Sequence, residues 1–408
     1  MLKNYFKIAI AVLKRRKFFT FISLFGISFT LTILLVLTSF IDKVVGDSYP
    51  DTKRDRSLYV TRLSQQGKNS ISSGMPSYYI LNKYVKTLPG AQKVSIFSTA
   101  NGTNTYVNNK KIAVTYKFTD AAYWEILEYN FVEGKPFGER EVTNAEKVAV
   151  ISDDLRRDYF GDVPSVIGKF IEANNERYRV MGVVKAIPVT SYMTYSQIYL
   201  PYTVSKTDYK AKEYGGGSMA IILAASSADL PKIQAEYESI ITRLKPESKD
   251  FDHVYSHAQH YIAAYVDTGN EKQSGIVLAL TILGTFTFLF MLLPTLNLVN
   301  INITRIMERS SEIGVRKAFG ASSKTLVYQF VVENIILTLM GGIIGFVLSF
   351  IVIQVLNDAN LIANLKLSIN FTVLGIGLLI CFIFGILSGV YPAWRMSKLN
   401  VVNALKAQ

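Results

Sequence analysis

The chain has 408 residues, half of them hydrophobic and only 18% charged, against roughly 25% charged in an average soluble protein. With a mean hydropathy of +0.24, this excludes a disordered chain and argues against an ordinary cytosolic enzyme. The net charge of +13 does not point to nucleic acid, because the basic excess is divided among segments flanking apolar blocks and forms no single basic face.

Residues 1–17 carry Lys3, Lys7, Lys14, Arg15, Arg16 and Lys17 and no acid. Leu2, Tyr5, Phe6, Ile8, Ala9, Val12 and Leu13 recur at helical spacing. That suits either a helix lying on the inner leaflet or a cytoplasmic extension of a first membrane helix. An uncharged run follows over 18–41, and further uncharged runs occupy 275–304, 334–357 and 367–394. Each exceeds the ~20 residues needed to cross a hydrocarbon core, and a globular helix of that length would need a polar outer face. The first run is longer than the roughly 7–15 apolar residues of a signal peptide and lacks an A-x-A-like site, so it reads as a retained anchor.

Flanking charge sets the orientation. Residues 1–17, 305–324 and the tail together hold 14 basic and 2 acidic residues, whereas 42–272 holds 29 basic and 27 acidic. The positive-inside rule then places both termini and the 305–324 loop in the cytoplasm and the long insert outside. The predicted fold is a membrane α-helical protein with four transmembrane helices, N-in and C-in, and a large α+β extracytoplasmic domain between helices 1 and 2. The boundaries are a cytoplasmic amphipathic segment 1–17, helix 1 at 18–43, the exterior domain 44–274 and helix 2 at 275–304. A cytoplasmic loop 305–326, helix 3 at 327–356, an external loop 357–369, helix 4 at 370–393 and a cytoplasmic tail 394–408 follow.

Within the insert, Val, Ile, Tyr and Phe alternate over 57–62, 93–99, 111–118, 147–152, 169–172 and 177–184, predicting strands. Helical periodicity marks 77–88, 153–159 and 230–244. Asn101-Gly102, Asn108-Asn109 and Asn174-Asn175 are turn candidates, and Gly215 to Gly217 reads as a flexible loop or subdomain boundary. The single cysteine, Cys381, lies in the fourth apolar run. No intrachain disulfide can form, so the insert must be held by its own core.

Chemistry is sparse. His253, His257 and His260 would share a face only on a helix, and 250–256 looks at least as strand-like; they read as polar surface residues in preference to a metal site. There is no G-x-S-x-G elbow, and Asp153-Asp154 reads as a helix start. No G-x-x-x-x-G-K-[ST] loop is present, so ATP would be bound by another chain. The expectation is a non-catalytic chain with no bound cofactor and no metal.

Residues 305–330 read RIMERSSEIGVRKAFGASSKTLVYQF. Ile313, Val315 and Phe319 offer apolar contacts, Glu312, Arg316 and Lys317 offer charge pairing, and Gly320 with Ala321 ends the element in a turn. From the residues alone, docking of a partner and a solvated connecting loop both remain open. Gly341 with Gly345, and Gly385 with Gly389, form G-x-x-x-G steps that permit close helix packing. Pro294 permits a kink in helix 2, and Asn297, Asn300 and Asn302 can bond between helices.

The run EIGVRKAFGAS, preceded by NLVNINITRIMERS, resembles the signature of MacB/FtsX-type ABC transporter permeases. FTDAAYWEILEYNFVEGKPF, KVAVISDDLRRDYFG, VIGKFI and YRVMGVV between Phe118 and Lys185 are similar to the MacB-like periplasmic core domain. The tail YPAWRMSKLNVVNAL is similar to the family's closing element, departing at Met396 and Val401. The resemblance implies an exterior domain of two lobes and a pair of permeases, a homodimer or heterodimer, bound to a separate ABC ATPase that holds ATP and magnesium. It also implies a bacterial plasma-membrane location.

Carried over, Glu312, Gly314, Arg316, Lys317, Gly320 and Ala321 would form the ATPase-coupling element, with Ile313, Val315 and Phe319 as its apolar contacts. Glu333 matches an acidic position of relatives and equally suits an interfacial carboxylate. The implied activity is mechanotransmission, in which the exterior lobes act on an efflux substrate, a lipoprotein or a cell-wall hydrolase, with a periplasmic adaptor or hydrolase as a further partner. Residues 258–274 would be a stalk between the lobes and helix 2. The competing readings are an activator of cell-wall hydrolases, a peptide-sensing regulatory complex and a membrane-anchored exterior enzyme.

Overall fold

The computed structural model describes residues 17–46, 49–107, 110–269, 275–286, 288–289 and 323–369, with isolated positions at 11, 15, 315 and 319 and between 371 and 383. The chain divides into two compact units. One comprises Met1–Lys43, Thr281–Leu361 and Lys366–Gln408, and the other Val44–Leu280 with Ile362–Leu365.

The first unit contains α1 (Lys17–Val45) and a later helix, Ser323–Ala359, numbered α9 below. Two stretches of these, Thr20–Val45 and Val331–Ala359, are long and apolar enough to cross a membrane. A shorter apolar helix covers Gly275–Phe286, and the rest of the expected helices 2 and 4 falls mostly outside the described residues. Small residues let α1 and α9 approach closely. A Cβ added at Gly341 would lie 2.7 Å from Ile27 Cγ2, and one at Gly345 only 2.9 Å from the Ser28 carbonyl oxygen. The Thr32 hydroxyl, 2.7 Å from Ser28 O of its own helix, is also 3.1 Å from Gly345 O across the pair.

The second unit is α+β. In chain order it contains β1 (Ser57–Val60), β2 (Leu63–Gln66), β3 (Ile71–Pro76), α2 (Tyr78–Ile80), β4 (Ala91–Ser98), β5 (Asn101–Val107) and β6 (Lys110–Thr119). Then come α3 (Ala122–Ile126), β7 (Phe131–Gly134), α4 (Glu139–Thr143), β8 (Val148–Ser152), α5 (Asp153–Phe160), β9 (Phe170–Ala173), β10 (Glu176–Val184) and β11 (Ile198–Pro201). Last are β12 (Gly215–Gly216), β13 (Ser218–Ala224), α6 (Leu230–Ile241), β14 (His253–Tyr255) and α7 (Tyr261–Tyr265), while α8 (Gly275–Phe286) begins in this unit and ends in the first, to which α9 belongs. A sheet of ten strands runs β1-β13-β4-β6-β11-β8-β10-β7, with β5 beside β6 and β9 beside β10; a smaller sheet runs β12-β3-β2-β14.

Sequence explains the central strands. All five residues of β8 are buried, as a strand covered on both faces requires, and it lies parallel to β10. Asn174 and Asn175 both take positive φ (51° and 59°) in the two-residue turn between β9 and β10, which is what a type I′ hairpin turn demands. Gly161, at φ 69°, follows α5 and donates to Arg157 O, the usual glycine stop.

Two expectations change. Asn101 and Gly102 are not a turn but the first residues of β5, opposite Tyr116 and Thr115; the Asn108-Asn109 candidate lies outside the described residues. Gly215 and Gly216 are not a free loop but pair with Pro76 and Met75. A Cβ at Gly216 would sit 2.6 Å from Ser77 Cα, so the glycine serves a close backbone approach. Of the expected stalk 258–274, residues 258–266 pack onto the domain: Ala258, Tyr261 and Ala264 are buried and Gln259 pairs with Tyr59 of β1. Residues 270–274 lie outside the described residues.

The ten-stranded sheet has a narrow seam. Strands β4 and β6 share a single pair, Phe97 with Thr119, whereas β4 and β13 pair along seven positions. On one side, a core of Leu58, Val60, Ile80, Ile96, Ile222 and Tyr237 packs the outer strands against α2 and α6. On the other, Val114, Ala149, Ile151, Leu155, Val180 and Leu200 form a separate core. A third cluster, rich in tyrosine, includes Tyr59, Phe97, Tyr123, Tyr129, Tyr199 and Tyr261.

Candidate functional site

Of the expected coupling element, only Val315 and Phe319 are described. Val315 is helical and exposed, Phe319 is 88% exposed, and the Phe319 amide donates to the Val315 carbonyl at 3.1 Å, one helical turn away. Glu312, Ile313, Gly314, Arg316, Lys317, Gly320 and Ala321 lie outside the described residues, as do Gly385, Gly389 and Cys381. Gly341 and Gly345 face α1 of the same chain, as the close approaches above require. Glu333 and Asn334 on α9 are both buried.

The exterior unit shows two polar constructions at places where its parts meet. The first is the seam. Asp120, directly after β6, is buried, and its Oδ1 accepts from Ser95 Oγ at 2.7 Å and from the Tyr123 amide at 3.1 Å. Its Oδ2 accepts from the Ile96 amide at 3.1 Å and from Lys86 Nζ. One carboxylate thus ties β4, the segment after α2 and the start of α3 to the end of β6. Ser98 Oγ adds a bond from the Phe118 amide at 2.9 Å.

Beside the seam lies Lys117, fully buried. Its ammonium donates to Met193 O and sits 5.0 Å from the centre of the Phe97 ring. Removal from water pushes its pKa down to about 7, because burial penalises the charged form. Nearby, the hydroxyls of Tyr123, Tyr129 and Tyr199 converge on Thr194 O at 3.0, 3.1 and 3.3 Å. Burial raises the pKa of all three phenols.

The second construction lies where the chain enters the unit. The Arg54 guanidinium is buried, donates from Nε to Asp51 Oδ2 at 3.1 Å, and from Nη1 to Val45 O at 3.3 Å and to Gly46 O. It stacks 3.5 Å above the Tyr261 ring, and Tyr59 Oη donates to the same Asp51 oxygen at 2.7 Å. Burial and the Asp51 charge push the Tyr59 phenol well up.

A cavity of about 300 Å³ adjoins the seam, with Tyr78, Tyr202, Tyr209, Asn101 and Asp208 among its lining. Tyr78 stacks on Tyr202 with ring centres 4.5 Å apart. Among the described residues no group of three or more His, Cys, Asp or Glu side chains is placed to hold a metal. His253 lies on β14 and His260 just before α7, so the three histidines share no helix.

None of Asp120, Lys117 or Arg54 was marked by sequence pattern. Arg54 sits in the charged run DTKRDR at 51–56, which reads as solvated surface. The signal that could have marked a pair is the three-residue spacing of Asp51 and Arg54.

Comparison with known families reads the same order of parts. The model of the MacB-like periplasmic core domain matches residues 20–240, more than half of the chain. The chain belongs to the MacB/FtsX family of ABC transporter permeases. The model of the FtsX-like permease C-terminal region matches residues 284–401. Among relatives, the uncharacterized ABC transporter permease YknZ of Bacillus subtilis is 24% identical over 324 residues, covering 79% of this chain and 77% of that protein. The macrolide export ATP-binding/permease protein MacB of Bdellovibrio bacteriovorus is 26% identical over 330 residues, 78% of this chain and 48% of that protein. The pyoverdine export ATP-binding/permease protein PvdT of Pseudomonas fluorescens is 25% identical over 291 residues, 71% of this chain and 42% of its own length. The chain therefore spans under half the length of these two ATP-binding relatives.

Among solved structures, the extracellular domain of YknZ aligns with 48% of this chain and 99% of its own, at 16% identity and a TM-score of 0.36. The periplasmic region of MacB from Actinobacillus actinomycetemcomitans covers 53% and 94%, at 16% identity and a TM-score of 0.38. Membership of this permease family makes the chain a membrane protein with an extracellular domain and implies an ATPase partner.

Proposed function

We propose that the chain is the transmembrane subunit of an ABC transporter in which a separate ATPase drives motion of the exterior domain. Four helices cross the membrane with both termini inside, and the 305–326 loop, centred on EIGVRKAFGAS, docks on the ATPase. The permease works as a pair, and its exterior lobes act on a molecule already outside, exporting or extracting it. This chain is non-catalytic; ATP and magnesium belong to the partner.

The observation that carries this reading is the order of parts. An apolar helix, a core domain and a permease region follow one another along the 408 residues. The 77% coverage of a relative named as a permease alone supports a separate ATPase. The charge asymmetry between 1–17, 305–324 and the tail on one side and 42–272 on the other supports the orientation.

The test is the full chain reconstituted with its ATPase in nanodiscs. Glu312→Lys combined with Arg316→Glu reverses two charges of the loop, and the expected result is loss of association and of permease-dependent ATP hydrolysis. Unchanged coupling in that double variant would remove the loop from the mechanism. ATP hydrolysis by the permease alone would end the proposal.

A further inference from the structure

The exterior unit is joined to its neighbouring helices by two strands of chain, one arriving after α1 and one leaving before α8. Both meet at Arg54. On the arriving side, the carbonyls of Val45 and Gly46 are acceptors at the end of α1, where the last turn has no intrahelical donors and carries partial negative charge. Arg54 Nη1 supplies the donor and the positive charge. On the leaving side, the guanidinium carbon lies 3.5 Å over the centre of the Tyr261 ring, a contact that arginine makes better than lysine.

Between them stands the sheet. Asp51 receives Arg54 Nε and Tyr59 Oη on the same oxygen, and the Tyr59 and Tyr261 rings meet edge to face at 5.3 Å. Tyr59 and Gln259 exchange both backbone bonds, at 2.7 and 3.0 Å. Further stitches run from Thr61 Oγ1 to Ala264 O at 3.1 Å and from Arg62 Nε to Asp267 O at 2.7 Å. One buried cation therefore touches the incoming chain, the edge strand β1 and the outgoing chain together.

We propose that Arg54 is the positioning residue that transmits displacement of the end of α1, and of the segment leading to α8, into the ten-stranded sheet of the exterior domain. The inference rests on the mechanotransmission reading above and adds the residue through which motion enters. A buried ion pair alone would not require this arrangement, because an apolar pair of similar volume can replace one without loss of stability. What an apolar pair cannot do is hold two helix-end carbonyls and an aromatic face at once.

The test uses the full chain with its ATPase in nanodiscs, reading ATP turnover together with the nucleotide-dependent change in hydrogen exchange of peptides covering β1 and 258–266. Arg54→Met leaves Asp51 buried without its cation, so the deciding variant is Arg54→Met with Asp51→Asn, which restores neutrality but not the hold on Val45 and Gly46. Arg54→Lys keeps the charge and loses the stacking plane. The expected result is a double variant that stays folded at the assay temperature and hydrolyses ATP at the wild-type rate, with its exterior response to nucleotide reduced roughly fivefold or more. The lysine variant falls between.

A full exterior response in the folded double variant overturns the assignment, since Arg54 would then only neutralise Asp51. A wild-type complex with no nucleotide-dependent exterior change overturns mechanotransmission itself, and this inference with it. The two failures are distinguished by the wild-type measurement.

Discussion

Lys117 offers the sharpest test of the packing at the seam. Its ordinary pKa is 10.5 and burial pushes it down to about 7, so the folded domain binds fewer protons than the unfolded chain between those values. Stability must then rise with pH across that window, by about 1.4 kcal/mol per unit, and be lost as pH falls through it. From pH 7.5 to 9.5 the gain is about 2–3 kcal/mol, which for a domain of this size raises the melting temperature by roughly 5–10 °C.

The perturbation is Lys117→Met, which keeps an unbranched chain and removes the titration. At pH 7.5 it relieves about 4 kcal/mol of burial penalty, while the Met193 carbonyl, now without the ammonium, costs about 1–3 kcal/mol. The variant should be more stable than wild type by about 1–3 kcal/mol at pH 7.5 and hold no advantage at pH 9.5. Scanning calorimetry of the full chain, followed at the exterior-domain transition, measures both slopes. The scan stops below pH 10, because the raised phenols of Tyr123, Tyr129 and Tyr199 make stability fall once the unfolded tyrosines ionise. Parallel pH profiles for wild type and variant would refute the argument, since the charge would then not be excluded from water in the folded state.

Other outcomes follow from the same geometry. Asp120→Ala removes an acceptor serving four donors across the seam and should destabilise the exterior domain by about 3 kcal/mol or more, read by denaturant unfolding. Gly345→Leu would drive a side chain into the Ser28 carbonyl and Leu31; disulfide crosslinking between cysteines introduced on α1 and α9 should report loss of the close approach. Gly102→Ala, by contrast, meets no atom within 4 Å and sits in β5 without positive φ. It should change the melting temperature little, and a large loss would restore the turn reading of Asn101-Gly102.

Some elements read in the sequence face a core on one side only, whereas β1 and β8 were legible from their Val, Ile and Tyr content although every residue in them is buried. In β10, buried Tyr178 and Val180 alternate with exposed Arg177 and Arg179, and period-two alternation reports such a face directly. The strands that escaped reading break that pattern for opposite reasons. In β13 nearly every residue is buried, so Met219 to Ala224 shows no alternation, whereas the LSQQ and ISSGMP runs of β2 and β3 are polar or small and are held by ladder bonds to one another. Local turn chemistry at Asn101-Gly102 loses to the seven-position ladder of β5 with β6 because each further pair adds what the isolated turn cannot.

The polar sites were illegible for a deeper reason. Arg54, Lys117 and Asp120 owe much of their setting to backbone carbonyls and amides that close around them: Val45 and Gly46 for Arg54, Met193 for Lys117, Ile96 for Asp120. A backbone group has no residue-type signature, so no spacing of letters announces it. The close approach at Gly345 was open to sequence reading because it rests on side-chain size alone. A buried charge satisfied by main chain has to be read from the fold, and in this domain such charges stand where one part of the structure is joined to the next.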